Sequence, residues 1–152
     1  MTYATADARQ GLLDTVAVAI EQLGLALAAL GEAYEQLDEQ TADVLEEQLF
    51  RPVQHAYGRA QRTYSEFASR SNLRARTFQP HTPGVQSQSV QALIERGVDG
   101  AQDADQAIAD LQDSMLPVEV GDPELRAGLA NVRELLATVP VRARALTRTV
   151  GR

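Results

Sequence analysis

The chain has no cysteine, no tryptophan and no lysine, and only three Phe and four Tyr in 152 residues. Without cysteine there is no disulfide framework, no thiolate metal site and no thiol nucleophile, and the redox compartment is left unconstrained. Di-metal carboxylate bundles need Glu-x-x-His on two helices, yet neither His55 nor His81 has a glutamate three residues before it. Asp99, Asp103 and Asp105 lack the spacing and terminal glutamate of a calcium loop. Glycine-rich phosphate loops, G-x-S-x-G elbows and Cys/His clusters are also missing. These absences remove the recognisable catalytic classes. The expectation is a protein that is not an enzyme and carries no cofactor or metal.

Helix-forming material is abundant: 24 Ala, joined by Leu, Arg, Gln and Glu. A chain of 152 residues suits one domain, 1–152. In its first stretch Leu13, Val16, Ile20, Leu23, Leu27, Leu30, Tyr34 and Leu37 recur at alternating steps of three and four, a heptad seam. Val90, Ile94, Gly97, Ala101, Ala104, Ile108, Leu111 and Met115 keep the same alternation, as do Leu125, Leu129, Val132, Leu136, Val139, Ala143, Leu146 and Val150. The second stretch is looser: Leu45, Leu49, Val53, Ala56, Ala60, Tyr64 and Phe67, interrupted by Pro52. The reading is an all-α fold, an antiparallel up-down-up-down four-helix bundle with coiled-coil-like heptad packing, its helices near 6–39, 42–73, 88–115 and 123–150.

Punctuation sets these limits. Asp122, Pro123 and Glu124 provide an N-cap, a proline at the first helical position and an early acidic residue. The run from Phe78 to Ser89, with Pro80, Pro83 and Gly84, reads as a loop set near 77–88. Between the first two helices Thr41 is the one candidate cap; without a turn there, a single helix of about 45 residues would protrude. Proline removes a backbone bond and clashes with the preceding turn, so kinks are expected near Pro52 and Pro140, unless Pro52 begins a new helix. The apolar run Gly11 to Leu30 contains Asp14, Glu21 and Gln22, and a carboxylate at a bilayer centre costs about 2.5 to 3.5 kcal/mol. Arg9 alone before it makes a poor signal-peptide flank. The run therefore reads as a soluble helix with no membrane span, and the protein as cytoplasmic.

Small residues flank the first seam: Ala17, Gly24 and Gly31 on one side, Ala19, Ala26 and Ala33 on the other. Gly97, Ala101 and Ala104 make the third helix shallow, with Tyr57 and Tyr64 of the second expected opposite. Val18 and Leu25 fall on the outer face of the first helix, which is apolar nearly all round and so suits cover by a partner, such as a second copy in a homodimer.

Charge changes sign along the chain: −9 over residues 1–50, +5 over 51–81, −8 over 82–124 and +5 over 125–152. Folded up and down, the ends of the second and fourth helices would share a pole, gathering Arg70, Arg74, Arg76, Arg142, Arg144, Arg148 and Arg152. Carboxylates, from Glu35 through Glu47 and from Asp110 through Glu124, would gather at the other pole. Arginine in last turns complements the helix dipole, and it can also engage an anion such as a phosphorylated partner, a nucleic-acid backbone or an acidic lipid. A net charge of −7 argues against nucleic acid over the whole surface.

Tyr34 to Asp38 and Tyr3 to Asp7 fit Y-x-x-x-D, which resembles the export signal of helical-hairpin substrates of type VII secretion. The accompanying W-x-G turn is impossible without Trp, so membership is not inferred. Three functions remain as expectations. The first is association with another protein or a second copy; the second is anion binding by an Arg-rich pole; the third is an apolar small-ligand site between the second and third helices.

Overall fold

A computed structural model describes residues 3–82 and 88–150, and every regular element in it is helical: α1 (Tyr3–Gln36), α2 (Glu39–Leu45), a π-helical turn (Glu46–Phe50), α3 (Arg51–Arg70), α4 (Val90–Asp113), α5 (Leu116–Glu119), α6 (Pro123–Leu136) and α7 (Val139–Val150). No strand occurs among the described residues. The chain does turn between α1 and α2, but the cap is Asp38, which accepts from the Thr41 N–H at 3.2 Å, rather than Thr41 itself. Hydrogen bonds from Thr41 hold the Asp38 carboxyl below its ordinary range.

Pro52 does not end the second rod. The rod from Glu39 to Arg70 continues through it by widening into the π-turn. A proline at 52 cannot donate to the carbonyl of Gln48, and Arg142 Nη1 reaches that oxygen at 3.5 Å. Pro140 instead breaks the fourth rod, with α6 ending at Leu136 and α7 beginning at Val139. Asp122 caps α6 by accepting from the Leu125 N–H at 2.8 Å, with Pro123 at the first position. α3 ends on Asn72 in the left-handed region (φ 57), where the Leu73 N–H reaches the Ala68 carbonyl at 2.8 Å and closes a Schellman turn. Met115 takes the same conformation (φ 68) beyond α4, so it is half exposed rather than part of the expected seam.

The heptad residues otherwise form the interior. Leu13, Val16, Ile20 and Leu23 of α1, Leu45, Leu49 and Val53 of the second rod, Ile94 and Ile108 of α4, and Leu125, Leu129 and Val132 of α6 are all buried. The helix over residues 4–36 is long and apolar enough to cross a membrane by composition, its most apolar 18-residue window having a mean hydropathy of 1.6. The most apolar window is 56% buried, because α3 and α4 cover much of it.

The order in which the rods point departs from the up-down-up-down expectation. α1 packs most extensively on α4, and the two are antiparallel: Gly97 abuts Leu30, Gly100 abuts Gln22 and Ala26, and Arg9 Nε donates to the Val120 carbonyl at 2.9 Å. α3 is likewise antiparallel to α6, since Arg70 meets Asp122, Thr63 meets Gly128 and Arg59 meets Asn131. The second and third rods therefore point the same way, giving up, down, down, up. The connection after α3 makes this feasible. Its residues 73–82 run back along the groove between α1 and α3, where the Arg76 N–H donates to the Tyr64 hydroxyl at 3.2 Å. Further along, Phe78 meets the Tyr64 ring edge-on at 5.3 Å and His81 lies against Gly24 and Tyr57. Extended chain advances about 3.3 Å per residue against 1.5 Å in a helix, so a dozen residues return the length of a much longer rod.

The small residues consequently meet other partners than expected. Ala19, Ala26 and Ala33 are fully buried on α1, Gly97 and Gly100 of α4 nest against Leu30 and Ala26, and Tyr57 and Tyr64 face the returning strap rather than α4. A Cβ at Gly24 would stand 2.5 Å from the His81 ring, so a larger residue there would push the imidazole aside.

Candidate functional site

The arginines expected to share one pole divide between the two ends. Arg70 lies where α3 meets α6, its Nε 2.7 Å and Nη2 2.9 Å from the Asp122 carboxylate, a bidentate pair. That hydrogen bond pulls the Asp122 carboxyl below the ordinary range although burial pushes it up, and the Leu125 N–H adds to the pull. Arg74 is exposed on the strap; Arg76 pairs with Glu21 at 3.0 Å and stacks 4.6 Å over Phe78. Arg142, Arg144 and Arg148 lie on α7, about 30 to 40 Å further along the fourth rod by helix rise. Arg152 falls outside the described residues. No single anion spans the two groups, and each end mixes signs, because the reversed third rod brings its carboxylates to the Arg70 end and leaves those of α2 at the α7 end. The small-ligand site was expected between the second and third rods, but α3 and α4 share no extensive contact, since each packs mainly on α1 and on α6 or α7.

Val18 and Leu25 are exposed as expected, at 53% and 41%. They share their stripe of α1 with Asp7 and Asp14, and no arginine lies on it. Asp38 of the Y-x-x-x-D segment is used as the α2 cap, while Tyr34 packs against the core; the Tyr3 side chain lies outside the described residues.

Two concavities flank α7. Between α4 and α7 runs a groove of about 580 Å³, floored by Ile94, Val98 and Ala143. Its α4 wall carries Glu95 and Asp99, its α7 wall Arg144 and Arg148. Between α2 and α7 a second groove of about 560 Å³ is lined by Val44, Val141, Ala145 and Leu146, with Val44 and Val141 47% and 61% exposed. The break at Pro140 separates α7 from α6, and the widened turn before Pro52 offers it one carbonyl, that of Gln48. α7 therefore rests on α4 and the π-turn with open furrows on either side. Sequence reasoning passed over these grooves; the signal that would have pointed to them is the pair of valines at positions 44 and 141, off both seams.

Thr63 is the one buried polar residue among the described ones; its hydroxyl donates to the Arg59 carbonyl at 2.8 Å. No buried side-chain polar atom among the described residues lacks a partner, and no cluster of three His, Asp or Glu there could hold a metal. Fold and surface together define an all-helical protein with grooves on both sides of α7. Comparison with family models, curated proteins and solved structures finds no match.

Proposed function

We propose that the four rods form a heptad-packed four-helix bundle that performs no catalysis and works by associating with another protein, which it receives at the flanks of α7. The observation that carries this reading is the pair of grooves, about 580 and 560 Å³, with apolar floors and the half-exposed Val44 and Val141 beside them. Apolar concavities rimmed by polar groups are where helices of other proteins dock. Self-association through Val18 and Leu25 fits less well: two copies of α1 would bring only carboxylates together, because Asp7 and Asp14 share that face and Arg9 is turned to Val120. Anion binding by one arginine pole loses its geometric basis, since the six side chains do not form one patch.

Photo-crosslinking in the native host tests the proposal. A benzoylphenylalanine at 98 or 141 is expected to give the same discrete protein adduct, and the same group at Arg62 on the exposed face of α3 is expected to give none. Equal labelling from all three positions, or no adduct from 98 and 141, refutes docking at α7.

A further inference from the structure

The groove between α4 and α7 is electrically two-sided. Glu95 and Asp99 stand one turn apart on one wall, Arg144 and Arg148 one turn apart on the other, and the two helices run antiparallel. Such partners ordinarily close on each other across a helix pair. Among the described residues none of the four makes an ion pair or a side-chain hydrogen bond, so the opposed charges are held apart across the groove. Two rows of unpaired opposite charge over an apolar floor suit an occupant carrying the complementary rows.

We infer, resting on the association reading above, that this groove receives an amphipathic helix of another protein with an apolar stripe, basic residues four apart on the edge facing α4 and acidic residues four apart on the edge facing α7. The floor of Ile94, Val98 and Ala143 takes the apolar stripe. The spacing of Glu95 and Asp99, about 6 Å along the axis, matches successive turns of the incoming helix. A second copy of this chain is a poor occupant. The exposed stripe of α7 joins Val141 and Ala145 to Arg144 and Arg148 without an acidic edge, and that of α1 joins Val18 and Leu25 to aspartates without a basic edge.

Three synthetic four-turn helical peptides with one common apolar stripe test the inference: one with a Lys edge and a Glu edge, one with two Lys edges, one with two Glu edges. Titrated into the isotope-labelled full chain, the mixed peptide is expected to shift the resonances of Ile94, Val98 and Ala143 and to bind at least tenfold more tightly than the other two. In the doubly substituted chain Glu95→Arg and Asp99→Arg, where both walls are basic, preference is expected to pass to the peptide with two Glu edges. The Arg144→Glu and Arg148→Glu chain should prefer the two-Lys peptide. Equal binding of the three peptides overturns the charge inference while leaving association at α7 standing. Absence of any shift at the groove floor overturns the inference outright, and the crosslinks from 98 and 141 then decide separately whether α7 docks anything.

Discussion

α6 and α7 are successive halves of one rod with the same amphipathic pattern, yet they are held differently. α6 is seated on α3 by a close fit of Thr63 into the space left by Gly128, and is tied by Arg59 to Asn131, Arg70 to Asp122 and Arg133 to Asp105 and Gln112. α7 has one long tie, Arg142 to the Gln48 carbonyl, and a groove on each side. Amphipathic periodicity tells a helix which side to bury, whereas the depth of its seat depends on the small and large residues facing it.

The largest expected effect attacks the α6 seat. A Cβ at 128 would stand 2.7 Å from Thr63 Cγ2, so Gly128→Val should cost about 3 kcal/mol in urea unfolding, the upper end for overpacking. Ala145→Val, on the exposed stripe of α7, should change stability by less than about 0.5 kcal/mol. Equal losses would erase the distinction between the halves.

Next come core truncations. Leu129→Ala should cost about 3 kcal/mol and Leu146→Ala about 2 kcal/mol, because the void at 146 adjoins an open groove and is relieved by solvent and rearrangement. Denaturant midpoints at constant slope would measure the difference, and a larger loss at 146 would show α7 to be the better packed half.

Polar ties are smaller. Asp122→Ala removes the α6 cap and the partner of Arg70, for a loss of about 1 to 2 kcal/mol. Since the Asp122 carboxyl is lowered in the folded chain, chiefly by Arg70, its contribution is complete above the ordinary carboxylate range and disappears as pH falls through the lowered value. Thermal unfolding at stepwise lower pH should therefore show wild type converging on the Asp122→Ala variant under acid; a gap that widens would contradict the assignment. Arg142→Ala, which removes a tie of 3.5 Å, should cost only about 0.5 kcal/mol. The finest test leaves the chain unmutated: amide hydrogens of 141–148 should exchange faster than those of 127–136, and the reverse order would mean that the grooves do not loosen α7.

Much of the fold was legible because helical period is a local property. The seams named the buried faces of all four rods, and Asp122 with Pro123 marked a helix start that the backbone uses. Errors arose where a residue's role depends on what lies across from it. Thr41 donates to the cap instead of providing it, and Met115, in register with the α4 seam, leaves it by adopting a left-handed turn. The charge argument failed more broadly. The most extensive contact joins α1 to α4, both acidic, so attraction between oppositely charged rods did not choose that pairing. Surface pairs contribute about 0 to 1 kcal/mol each, while burying one large aliphatic side chain contributes about 1.5 to 3 kcal/mol. Ala26 against Gly100 and Leu30 against Gly97 therefore outrank the repulsion.

By itself the sequence determined where the helices lie and which stripe of each turns inward, since both follow from residue spacing over a few turns. Only the tertiary structure decided which way the third rod points, and with it which arginines meet which carboxylates and where the surface is left open. The connection after α3 is long enough to end at either pole, and the entropy of closing a loop changes only slowly with its length, so the choice fell to the fit of small residues between rods distant in the chain.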